Sequence, residues 1–93
     1  MNIQDILARP VWKRLVLLPG FAELSATSIA TADTFFDFIV QRNLPSPSVG
    51  DIHNWLGDCT SFERTLRIDQ LQEVFAVCQT AFLPVIRETR LFL

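Results

Sequence analysis

The sequence predicts an all-α fold, a compact bundle of five or six short helices around one core, and three observations carry that prediction. Apolar residues recur at helical spacing in one segment after another. Capping residues stand in front of these segments: Asn2 with Asp5, Ser25, Ser48 with Asp51, and Thr60 with Glu63. No alternating polar and apolar run is long enough for a strand. Ninety-three residues make one domain with one core, so 1–93 reads as a single helical domain without linker, internal repeat or low-complexity segment.

Asn2 to Ala8 forms a short helix, with Ile3, Ile6 and Leu7 on one face. Pro10 suits the first turn of a second segment running to about Leu18, because a proline there loses no intrahelical hydrogen bond. Pro19-Gly20 then makes a turn in which proline fixes φ and glycine supplies a positive φ. Ser25 opens a long helix to Asn43, with Ile29, Ala32, Phe36, Ile39 and Val40 on its apolar side and Asp33 and Asp37 on the opposite side. Asn43 is the residue expected just past its end, where Leu44 folds back and Pro45 forbids continuation. Ser48 and Asp51 cap a short helix through Leu56, which Gly57 stops.

Thr60 and Glu63 open a further short helix to about Arg67. Asp69 with Gln72 reads as a second cap, so a break is expected near Ile68, ahead of Leu71, Val74, Phe75, Cys78 and Phe82. Pro84 begins or kinks a last piece carrying Arg87 and Arg90, and Leu91-Phe92-Leu93 is too apolar for a free tail.

Composition narrows the function classes. Eight Lys plus Arg against ten Asp plus Glu give a formal net charge of −2, which lacks the broad positive field of a strong nucleic-acid binder. Charges interrupt the apolar residues throughout, so no membrane span is expected. The N-terminus lacks the basic and apolar regions of a secretory signal, which predicts a cytoplasmic protein with Cys59 and Cys78 as reduced thiols. His53 is the sole histidine, neither cysteine lies in a nucleophile motif, and Gly20, Gly50 and Gly57 are isolated. No enzyme activity, cofactor or metal is therefore expected.

The remaining candidates are aromatic and basic. Core packing is the expected role of Phe35, Phe36, Phe38, Phe62, Phe75 and Phe82, but Phe35 and Phe38 cannot both share the face of Phe36 and Ile39. One or both are thus candidates for an exposed partner-binding patch. Trp12 and Trp55 sit in amphipathic segments, closing a core edge or anchoring an interface. Basic residues fall in three groups at helical spacing, Arg9, Lys13 and Arg14; Arg64 and Arg67; Arg87 and Arg90. Each is a solvated face taken alone, and an anion-binding surface if the fold joins two of them.

From about Leu24 to Phe82 the order of parts resembles the N-terminal SAM-like, core-binding domain of phage integrases, the tyrosine recombinases. Ser25, Ser28, Ile29, Phe36, Ile39 and Val40 match the pattern of that family's long helix. Asp51-Ile52, followed by Trp55-Leu56, is similar to its next short helix, and Thr65, Leu66, Leu71, Val74 and Phe75 look like its later ones. The resemblance implies a SAM-like module that grips double-stranded DNA through phosphate and groove contacts, while a separate domain does the cutting. It implies that Ser25 and Ser28, at a capped helix start, face a phosphate, and that Arg64 and Arg67 lie near the groove. Clustering of Lys13, Arg14, Arg64 and Arg67 on one face is the arrangement that DNA binding calls for.

The chain departs from the family at Ala30 and Ala32, where an arginine and a tyrosine are common, and in having no basic residue from Asp69 to Leu83. It contains no tyrosine, so it cannot supply the family's nucleophile. The rival reading is a helical protein-interaction or dimerisation module, with Phe35, Trp12 or Phe92 on its exposed patch.

Overall fold

Local capping chemistry sets most of the helix boundaries in the computed structural model, which describes residues 2–78 and 83–91. Asn2 accepts the Gln4 N–H at 3.0 Å and starts α1, Ile3–Leu7. Pro10 begins α2, Pro10–Leu15, which ends earlier than the sequence suggests; Val16 to Leu18 continue as turns, and Gly20 at φ 86° leads into a 3-10 turn over Phe21–Glu23. Ser25 accepts the Ser28 N–H at 3.1 Å and opens α3, Ala26–Gln41.

The end of α3 is a Schellman closure. Asn43 takes φ 54°, its N–H donates to the Val40 carbonyl at 3.2 Å, and the Leu44 N–H reaches back to Ile39 at 2.9 Å. Ser48 and Asp51 form a reciprocal capping box at the start of α4, Val49–Leu56. Gly57 stops that helix at φ 60°, ψ −134°, a conformation only glycine adopts without strain. Thr60 and Glu63 make the second box, at 3.2 and 3.4 Å, ahead of α5, Ser61–Cys78. The last helix is α6, Leu83–Leu91, with Pro84 in its first turn. The described residues thus form six α-helices and no strand, an all-α bundle as expected.

α3 and α5 are the central pair and run antiparallel. Ser28 of α3 donates to Glu73 of α5 at 3.0 Å and Thr31 to Gln70 at 2.6 Å, so residue numbers rise on one helix as they fall on the other. α6 packs on α5 and α4, while α1 packs on α3 and α2. Between them lie Trp12, Phe35, Ile52, Leu56, Ile68, Leu71, Val74, Phe75 and Ile86, all removed from water. Rings knit the centre: Phe35 stands edge-on to Trp55 at 5.2 Å and to Phe75 at 5.9 Å, and Trp12 tilts onto Phe36 at 5.4 Å and Phe21 at 6.2 Å.

Several expectations are corrected. α5 has no break near Ile68: that side chain is fully buried in line with Leu71 and Phe75, so continuing the helix buries it, and Asp69 is held by Arg90 of α6 instead of capping a new helix. Asp33 is not on the solvent side of α3. It is 3% exposed, because α2 docks there and supplies the Trp12 indole and Arg9 guanidinium as donors. Phe35 is fully buried where α4 and α5 close over it, and Trp12 is fully buried where α2 docks on α3, so neither marks an exposed patch. Val40, placed on the apolar stripe by its spacing, is 76% exposed, and Phe62 is 77% exposed on the first turn of α5. The expectations for Phe82, Phe92 and Leu93 lie outside the described residues.

Candidate interaction surface

Most of the basic residues are engaged internally. Arg9 spans two carboxylates, donating to Asp33 at 2.6 Å and bonding both oxygens of Asp37. These bonds hold the Asp37 carboxyl below its ordinary range, chiefly through the hydrogen bond from Arg9, and push the Arg9 pKa up. Arg64 donates to the Gly57 carbonyl at 2.8 Å and the Cys59 carbonyl at 3.1 Å, closing the α4–α5 turn. Arg67 lies over the Trp55 ring at 5.5 Å, Arg42 over Phe38 at 4.5 Å, and Arg90 pairs with Asp69.

The six residues that the resemblance implies for DNA contact lie on three different helices. Ser25 is exposed at the start of α3, but Ser28 is 1% exposed and its hydroxyl donates to Glu73, which puts a carboxylate of the chain itself at that helix start. Arg64 and Arg67 are anchored on the α4 side of the bundle, whereas Lys13 and Arg14 stand exposed on α2, which docks on α3 through Phe36 and Asp33. The side chains of Lys13 and Arg14 have no internal hydrogen-bond or ion-pair partner among the described residues.

Beside this basic edge runs an apolar concavity. A groove of about 610 Å³ lies between α2 and α3, lined by Pro10, Val11, Phe36, Ile39 and Val40, with Arg9 and Asp37 at its rim. Ile39 and Val40 also line a hollow of about 320 Å³ formed with Asn43, Leu44 and Pro45 at the Schellman closure. In the other direction Pro10 and Val11 continue into a hollow edged by Lys13, Arg14 and Leu15. Shared walls, Ile39 and Val40 on one side and Pro10 and Val11 on the other, set the three concavities side by side in a band that is mainly apolar, with Lys13 and Arg14 at one end.

Sequence reasoning missed this band. Val11 carries no signal of its own in the chain, and its spacing from Phe36 places Val40 on the core side. The signal in the chain was the width of the α3 apolar pattern: Phe35, Phe36, Phe38, Ile39 and Val40 span more of the helix than one core can cover. Among the described residues no three His, Cys, Asp or Glu gather to hold a metal, and no helix is long and apolar enough to cross a membrane. Cys59 and Cys78 are free thiols, and burial pushes the Cys78 pKa up. Comparison with known protein families, curated proteins and solved structures finds no match to this chain.

Proposed function

We propose that this domain is a non-catalytic helical interaction module that receives a protein segment in the groove between α2 and α3. The band of adjoining apolar concavities carries this reading: Val11 and Val40 are 43% and 76% exposed, and Leu44 and Pro45 line the neighbouring hollow at the end of α3. A concave apolar surface bounded by polar groups is what a protein interface is built on, because burying it is favourable by roughly 25 cal/mol per Å². A peptide library displayed on phage and panned against the folded chain tests the proposal. Binders are expected that lose affinity at least tenfold for Val11→Asp or Val40→Asp and are indifferent to Phe62→Asp. Binders indifferent to the groove substitutions would remove the groove from the reading.

A second reading is the DNA-binding domain of an integrase-like site-specific recombinase, and it rests on the Lys13 and Arg14 side chains being exposed without an internal partner among the described residues, with Ser25 exposed at the start of α3. Anisotropy of a labelled duplex tests it directly. Phosphate contacts weaken steeply between about 50 and 200 mM salt, and each lost contact lowers the salt slope by about one. The reading therefore expects Lys13→Ala and Arg14→Ala to flatten the slope, and absence of binding at the lowest salt excludes it for this domain.

A further inference from the structure

We infer that the segment taken by the α2–α3 groove is an amphipathic helix with carboxylates along the flank that meets α2. The inference rests on the interaction reading above and adds the partner's conformation and charge. Conformation follows from the walls. Both are helices, and the described residues contain no sheet edge, so an extended peptide would find no ladder for its backbone N–H and C=O groups. A helix arrives with those groups already bonded and presents apolar residues at i, i+3, i+4 and i+7 to Val11, Ile39 and Val40.

Charge follows from what the rim has left over. Asp37 is the acidic residue at the groove, and both its oxygens are bonded by Arg9, whose other contact is Asp33. One guanidinium there serves two carboxylates, so that cluster keeps one negative charge, shared between the buried Asp33 and the rim Asp37. The Lys13 and Arg14 side chains, at the end of the same band, have no internal hydrogen-bond or ion-pair partner among the described residues. Arg9, Lys13 and Arg14 against Asp33 and Asp37 leave one positive charge in excess along the band, and it lies at the Lys13 and Arg14 end. A partner carrying Glu or Asp gains there in rate and in specificity, and a basic partner gains nothing.

The test is to sequence the groove-dependent binders, make them as labelled helical peptides and map them by NMR shift changes on the full chain. Carboxylates are expected on one flank of the apolar stripe, with shift changes at Val11, Val40 and Lys13. Lys13→Glu and Arg14→Glu should each weaken binding about two- to fivefold, as exposed ion pairs do, and the double substitution should recover affinity for the peptide with Glu exchanged for Lys. Groove-dependent peptides with no acidic preference and no recovery on charge exchange overturn this inference and leave the interaction reading intact. Failure of every peptide to perturb Val11 and Val40 overturns both. A self-association by sedimentation that Val11→Asp abolishes identifies a second copy as the occupant. Duplex binding lost in Lys13→Glu but kept in Val11→Asp identifies nucleic acid. Either result also overturns the acidic helix.

Discussion

At the residue scale the decisive group is Asp33, because it is a carboxylate in a core that otherwise excludes charge. Its two oxygens are used by the Trp12 indole N–H at 2.8 Å and by Arg9 at 2.6 Å, so one side chain fixes the position of α2 on α3. Asp33→Ala leaves the fully buried indole donor without an acceptor, which costs roughly 1–3 kcal/mol; urea unfolding should show this loss. Phe35→Ala removes a fully buried ring and should cost roughly 3–5 kcal/mol in the same assay. Asp37 acts differently, being 42% exposed at the rim. Its pKa in the fold is lowered, first by the hydrogen bond from Arg9, so the native state favours the ionised form. That contribution is complete above the ordinary value of 3.8 and is lost as pH falls through the lower folded value. Urea midpoints measured on either side of about pH 4 should therefore fall less towards acid in Asp37→Asn than in the parent chain. A variant as acid-sensitive as the parent would show that Asp37 is not the group responsible.

At the element scale, legibility tracks how local the determining contact is. The boxes at Ser48 and Thr60 and the closure at Asn43 involve partners three to five residues apart, so the sequence displays them complete. Asp69 and Gln72 display a cap of the same form, but both accept from Arg90, 21 and 18 residues away, and that contact exists only once α6 has docked. Ile68 settles the matter by its burial, which no local pattern reveals. Likewise the capping role of Ser25 is local and legible, whereas the inward turn of Ser28 depends on Glu73, 45 residues on. Two substitutions separate these cases. Asn43→Gly should be neutral or slightly stabilising, since φ 54° is open to glycine, while Asn43→Val should cost roughly 1–2 kcal/mol. For a domain of this size that is a fall of about 4–16 °C in the thermal midpoint.

At the scale of the whole molecule, one core joins the Trp12 side of the bundle to the Trp55 side through Phe36, Phe75 and Phe35. The radius of gyration, 12.6 Å, matches the roughly 12 Å of a single packed body of this length. The groove nevertheless depends on its weakest wall. α2 has six residues, too few to hold a helix in water alone, so its persistence rests on Trp12 and Arg9 being docked on α3. Continuity of the ring contacts argues that this docking melts with the rest and not before it. The Trp55→Phe variant leaves Trp12 as the sole tryptophan, and its emission then reports α2 while far-UV circular dichroism reports the helices of the whole bundle. The two urea transitions should coincide at one midpoint. An earlier change in Trp12 emission would mean that α2 lifts from α3 while the bundle stands, and the groove would then be a surface that opens and closes under native conditions.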